Sequence, residues 1–142
     1  MAASLAIEKH REGAEVHRGH AECREKLLEV LKELCLPPGL HPLEDIEEFG
    51  YNRATGFFWV VQKKNREHTF KRIKQQAWYA SEMTAFVERR RVKKITGIKA
   101  KQLLLWLSVT DMYIDDPASG KITFKTATGF SVSFPVSAFE LE

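Results

Sequence analysis

Ile122-Thr123-Phe124-Lys125-Thr126-Ala127-Thr128-Gly129-Phe130-Ser131-Val132-Ser133-Phe134 decides the class of this fold. Ile122, Phe124 and Thr126 alternate with Thr123 and Lys125. After the turn-forming Ala127-Thr128-Gly129, Phe130, Val132 and Phe134 alternate with Ser131 and Ser133. A period of two sends successive side chains to opposite faces of a strand, so the segment reads as an antiparallel hairpin with one apolar face and one Ser/Thr/Lys face. Working towards the N-terminus, Asp115-Asp116-Pro117-Ala118-Ser119-Gly120 is a cluster of turn formers. Residues 102–115 hold the most apolar stretch and predict a long strand ending over 109–114. A helix over 101–107 is the alternative that a short apolar run leaves open. Earlier strands are predicted at 46–51, 57–63, 69–73, 78–81, 84–90 and 95–98, the last with an irregularity at Gly97, and a turn at 52–56. Many short strands separated by turns indicate a sandwich or barrel.

The period changes at Leu36-Pro37-Pro38-Gly39. Residues 4–35 contain no proline and are rich in Ala, Glu, Lys, Leu and Arg, which predicts a helix. Leu27, Val30, Leu31 and Leu34 give its second half one apolar face. Gly13 and Gly19 interrupt the first half, which needs packing to hold it. The two prolines and Gly39 stop the helix. The expectation is therefore a helical N-terminal arm over 1–35 and an antiparallel β domain over 36–142. The fold class is mainly β, α+β overall: a barrel or barrel-like sandwich with an N-terminal α-helix.

With 142 residues, 44% hydrophobic and 11% aromatic, the chain can bury a core as a single domain. The longest apolar run, 103–107, is far short of the ~20 residues that span a bilayer. Glu8, Lys9, Arg11 and Glu12 break up any signal-peptide core near the start. The expected location is the cytoplasm, or cytoplasm and nucleus, where Cys23 and Cys35 stay reduced. The net charge of +3 is unevenly spread. Residues 63–101 carry a net +10 and residues 1–49 a net −5. Such a block suits an anionic partner, or an acidic arm folded back on its own basic domain.

Several linked segments carry a resemblance: Leu36-Pro37-Pro38-Gly39-Leu40-His41-Pro42; Gly56-Phe57-Phe58-Trp59-Val60; Gly97-Ile98-Lys99-Ala100-Lys101 followed by Leu105-Trp106-Leu107-Ser108-Val109; and Ile122-Thr123-Phe124 through Phe134-Pro135-Val136-Ser137-Ala138-Phe139-Glu140. In this order they resemble the plant family called domain of unknown function 538, over about three quarters of the chain. His41 stands where that family usually has leucine. The resemblance implies a β-rich protein similar to lipid- or lipopolysaccharide-binding proteins of the bactericidal/permeability-increasing type, or an esterase acting on chlorophyll-type esters. It implies no catalytic residue that can be carried over.

The residues offer four kinds of chemistry. A basic run, Arg89, Arg90, Arg91, Lys93 and Lys94, can bind an anion, or can be a solvated strand edge. Six bulky aromatics, Trp59, Trp78, Phe86, Trp106, Phe124 and Phe134, can line a ligand pocket inside a barrel, or simply fill the core. Alternation along a strand would set Arg89 and Arg91 on one face and Arg90 on the other. Hydrolysis has no G-x-S-x-G elbow to support it, and only His41 or His68 as base candidates. His17, His20 and Cys23 drift around a helix and make a poor zinc set. The arm can cover its own domain or lie in another protein's groove. The leading expectation is non-enzymatic binding of a lipid-like or amphiphilic anionic ligand by a monomer, with no cofactor and no metal. An amphiphilic small molecule or a lipid is the partner, and no sequence-specific nucleic acid is expected. Ester hydrolysis and a protein-interaction adaptor are the alternatives.

Overall fold

The computed structural model describes residues 2–141. Helix α1 (Ala2–Arg11) leads into a short strand β1 (Glu15–Arg18) and helix α2 (His20–Glu33). A 3-10 turn (Pro38–Leu40) then precedes strands β2 (Ile46–Asn52), β3 (Phe57–Gln62), β4 (Arg66–Phe70), β5 (Gln75–Glu88), β6 (Arg91–Gln102), β7 (Leu105–Tyr113), β8 (Lys121–Thr126) and β9 (Ser131–Pro135). A last 3-10 turn spans Val136–Phe139.

The arm departs from the single helix that its composition predicts. Gly13 and Gly19 sit at φ of 82° and 89°, a region that only glycine enters without cost, and they cut the segment into helix, strand and helix. The strand between them is used: β1 pairs with β2, with Val16 opposite Gly50. α1 is held by packing, as Ile7 is buried against Phe57 and Trp59. Among the described residues the arm's acidic groups make their ion pairs outside the basic block, and of the acidic 1–49 stretch only Glu44 and Asp45 pair with that block, through Arg66. Glu15 and Glu33 both pair with Arg53, and the arm's own Arg11 and Arg18 pair with Glu48.

The architecture is mainly antiparallel β with N-terminal helices. Among the described residues the strands form one sheet in the order β1-β2-β3-β5-β6-β7-β8-β9, with β4 beside β5. Every pairing is antiparallel, and β1 and β9 end the ladder without pairing to each other. The sheet nevertheless curls round one interior. Phe139, beyond β9, meets Phe70 of β4 edge to face at 4.9 Å between ring centres, and packs against Phe124 and Phe134. Side chains thus close the gap that backbone hydrogen bonds leave open.

Parity assigns the two faces. Ala77, Tyr79, Met83, Ala85 and Val87 of β5 face the main core with Val60, Val109, Met112 and Ile122. α2 covers that core through Cys23, Leu27, Val30 and Leu31. On the other face Phe57, Trp59 and Ile7 form a second cluster under α1. Trp59 is fully buried and its Nε1–H donates to Glu48 at 2.9 Å. Burial alone would raise the Glu48 carboxyl, but hydrogen bonds from Arg11 and Trp59 and the charges of Arg11 and Arg18 outweigh it and hold the group below its ordinary value.

Four strand predictions shift, the one over 95–98 growing into the longer β6 (Arg91–Gln102). The predicted strand over 69–73 lies earlier, at Arg66–Phe70, and 71–74 form a turn in which Lys74 has φ 52°. The predicted strands 78–81 and 84–90 are one long β5, continuous through register shifts between Tyr79 and Phe86. Arg89 and Arg90 are its hairpin turn, with Arg90 at φ 61°, so the strand-like alternation read for Arg89 to Arg91 does not occur. At 101–107 the structure turns at 103–104 and resumes as β7, so the helical alternative is not adopted.

Candidate functional site

The linker after α2 is built by close packing. Leu36 donates its N–H to Leu31 O at 2.9 Å and ends the helix. Gly39 lies so near the C-terminal segment that a Cβ there would stand 2.3 Å from the carbonyl oxygen of Phe139. No side chain fits. Leu40 O accepts a hydrogen bond of 2.9 Å from the phenol of Tyr79, a buried group whose pKa burial pushes up. The Pro-Gly linker and the Phe134-to-Glu140 segment, far apart in sequence, are therefore in direct contact.

His41 follows at the end of this seat. Its Nδ1 accepts the N–H of Leu43 at 3.0 Å, which leaves the proton of a neutral ring on Nε2. Burial, aided by the charges of Arg66 and His68, pushes its pKa down to about 3. The ring is therefore neutral near pH 7, and its Nε2 is buried without a hydrogen-bond partner. A buried donor without an acceptor costs on the order of 1–3 kcal/mol. The backbone beyond it is strained, with Leu43 and Asp45 at φ of 59° and 49°. Arg66 secures that stretch by ion pairs to Glu44 at 2.7 Å and Asp45 at 2.9 Å.

His41 lies at the floor of a surface basin of about 300 Å³. Arg24 of α2, His68 of β4, and Lys71 and Arg72 of the β4–β5 turn supply its basic side, and Glu44 and Glu140 its acidic side. Both acids are engaged, Glu44 by Arg66 and Glu140 by Arg72 at 3.6 Å. Arg24 and Lys71 have no acidic partner among the described residues. The basin therefore offers two free cations and a neutral N–H donor to an anion.

Behind the basin lie two small apolar cavities. One, about 50 Å³, is lined by Leu27, Leu31, Phe58, Met83, Ile95 and His41. The other, about 30 Å³, is lined by Phe70, Tyr79, Val109, Phe124, Phe134 and Phe139. Ile98 and Met112 border both. His41 divides the basin from the first cavity, and Phe70 divides it from the second. Volumes of this size hold a few water-sized groups, against about 150 Å³ for a cavity that takes up benzene. The interior is close to full.

The six aromatics read as a ligand set do not converge. Trp59 is in the cluster under α1, and Phe86 meets Phe57 and His10 there edge to face. Trp78 and Trp106 lie on the outer face with Lys99 and Lys101 over their rings at 5.2 and 5.7 Å. Phe124 and Phe134 alone line an interior cavity. The basic set is also dispersed. Lys93 pairs with Glu88, Arg91 pairs with Asp115 and stacks on Tyr113, and Lys94 lies over Phe86. Arg89 and Arg90 form the intervening turn. His17 belongs to β1 and bonds Glu22, and His20 accepts from Ile46 N–H. Buried Cys23 donates to His17 O. Helical spacing therefore does not relate these three, and no group of three or more His, Cys, Asp or Glu suited to a metal is found among the described residues. Cys23 and Cys35 are free thiols.

Arg24 and the Gly39–Phe139 contact escaped the sequence reading. Arg24 looked like any exposed helix residue, and only the linker motif signalled Gly39. Among the described residues no helix is long and apolar enough to cross a membrane. No curated protein and no solved structure matches the chain. A family model described as "Protein of unknown function, DUF538" matches residues 27–140, a span that holds both halves of the linker contact and every residue of the basin except Arg24 and Leu141, and the chain belongs to that family.

Proposed function

We propose that this chain is a non-enzymatic binding domain for a small anionic amphiphile. The acidic head lies in the basin against Arg24, Lys71 and the Nε2–H of His41, and a short apolar part faces the cavity behind His41. The observation that carries the reading is the unpartnered, neutral imidazole donor between a cationic basin and an apolar space. An anionic acceptor satisfies it without any change of protonation. Met83 and Met112, unbranched and adaptable, border the apolar space and can yield to a guest. The reading extends to a monomer in the cytoplasm or nucleus, where free thiols persist.

Ester hydrolysis is the competing activity. It needs a nucleophile within reach of His41 or His68. The described residues lining the basin include no Ser, Thr or Cys. Titration with a fluorescent fatty-acid-like probe, together with native mass spectrometry of freshly purified protein, tests the proposal. Saturable one-to-one uptake is expected, weakened about tenfold or more in the Arg24→Glu, Lys71→Glu double variant, since charge-assisted bonds are each worth ~1.5–3 kcal/mol. Wild-type protein with no saturable uptake and no co-purifying small molecule ends the reading. Steady turnover of a chromogenic ester that His41→Ala abolishes would replace it with the hydrolase.

A further inference from the structure

One end of the sheet carries an apolar tip that nothing in the fold covers. At the β6–β7 turn, Leu103 is 95%, Leu104 87% and Leu105 65% exposed, and Trp106 is 36% exposed. Two other turns sit beside it. Gln102 Nε2–H donates to Gln75 Oε1 at 2.9 Å, and Gln75 Nε2–H to Lys101 O at 2.8 Å, which ties down the β4–β5 turn. Ala127 N–H donates to Ser108 O at 2.9 Å, which brings in the β8–β9 turn with Phe130, 48% exposed.

The turn is also conformationally costly. Leu103 has φ 57°, where a hairpin favours glycine, asparagine or aspartate. A leucine there is unfavourable for both backbone and hydration, and the fold returns no contact for it. Exposed apolar side chains beside an ordered ladder mark an interaction surface.

Charge identifies the occupant. Residues 68–81, 89–110 and 117–139, which supply all three turns, contain no Asp or Glu. Lys99 and Lys101 stand on the outer face directly behind the leucines, each over a tryptophan ring. Of the acids that border these segments, Glu67 lies opposite Trp78, Glu140 pairs with Arg72, and Asp111 lies opposite Lys125. Two such ends repel one another, which disfavours a second copy of the chain. The layering fits a bilayer. At ~3.3 Å per residue, Leu105, Trp106 and Lys101 follow the tip by successive steps. An apolar insertion of ~5–10 Å with cations at headgroup level is that of a peripheral membrane anchor, and tryptophan favours that interface.

We propose that the β6–β7 tip docks the protein on a membrane surface rich in anionic phospholipid, with Leu103 to Leu105 inserted, Trp106 at the interface, and Lys99 and Lys101 on the headgroups. The basin shares the β4–β5 turn with this end through Lys71 and Arg72, but none of the leucines, tryptophans or lysines named for the membrane lines the basin, so different residues test the two proposals.

The full-length protein is sedimented with large vesicles of phosphatidylcholine, and of phosphatidylcholine with about one third phosphatidylserine. The wild type is expected to sediment with the anionic vesicles, to be released by salt, and to show a blue-shifted tryptophan emission that Trp106→Phe removes. Leu103→Asn with Leu104→Asp should lower binding at least ~10-fold. Asparagine suits the turn, so this variant should melt no lower than the wild type, which excludes misfolding as the cause. Lys99→Glu with Lys101→Glu should lower binding to anionic vesicles alone. The variant Arg24→Glu should still sediment, and the tip variant should still take up a soluble amphiphile. The proposal is overturned if the wild type ignores anionic vesicles, if the tip variant binds them equally, or if the tip instead drives concentration-dependent dimers.

Discussion

Strand β6 ends in two turns that differ in almost every respect except backbone. Each places one non-glycine residue at left-handed φ, Arg90 at 61° and Leu103 at 57°. At the Arg90 end, its N–H donates to Leu34 O at 2.7 Å and its carbonyl accepts from Ile114 N–H at 2.9 Å. Lys93 pairs with Glu88 at 2.8 Å, and Arg91 stacks on Tyr113. At the Leu103 end the two apolar turn residues project into solvent. The charged end is knitted into the body and the apolar end is left free. Strain that is repaid by tertiary contact is architecture; strain without such return points to a partner outside the fold.

The comparison is tested most severely by separating packing from charge. Phe139→Ala should cost ~3–5 kcal/mol, because it empties the contact that closes the sheet on Phe70, Phe124 and Phe134. Asp115→Ala, which deletes a surface ion pair at the Arg end, should change stability by less than ~0.5 kcal/mol in the same urea titration. Equal losses would mean that ion pairs, and not the interior, hold the molecule together.

Acid should act next, through His41 on the body side. Its folded pKa of about 3 lies below the ordinary 6.5. The unfolded chain therefore binds the extra proton between these values, so the stability is complete above pH 6.5 and falls as pH drops through the window, by roughly 1.4 kcal/mol per unit at most. Glu48, also held below its ordinary 4.5, adds a further loss only below that value. His41→Leu should flatten the curve between pH 6.5 and 4.5 and leave the Glu48 limb intact. A His41 ring that titrates near pH 6 by NMR would refute this.

The smallest effects sharpen the contrast most directly. Arg90→Asn should destabilise by about 1 kcal/mol, since the partly buried stem is lost although asparagine suits the φ. Leu103→Asn should stabilise by about 0.5 kcal/mol, because only strain and exposed apolar surface are removed. Opposite signs for one replacement at two similar φ values would confirm that only the first turn is embedded.

Much of this architecture was legible in the sequence. The alternation from Ile122 to Phe134 reads correctly as β8 and β9. The arm was misread because the helix preference of its Ala, Glu and Lys residues outweighed two glycines, whose positive φ becomes apparent only in the fold. The aromatic set failed to converge for a simpler reason. Trp59, Trp78 and Phe86 take one parity of the sheet and Phe124 and Phe134 the other, and the bulges that fix parity leave no mark in composition. The basin was invisible because it draws Arg24, His41, His68, Lys71 and Glu140 from separate segments. The run at 103–107 is legible as the most apolar of the chain, but hydrophobicity alone does not tell a core from a contact surface.

The seat of Gly39 against Phe139 also governs the order of events in folding. One hundred positions separate the two residues, and all of β2 to β9 must be laid down before they can meet. Until then the linker leucines, the His41 ring and one side of the β4–β5 hairpin have no cover. A ring of strands sealed by its latest-made segment has a high contact order and folds on the slow side, in milliseconds to seconds. During synthesis, the half-wrapped sheet is therefore the form of this protein most in need of chaperone protection.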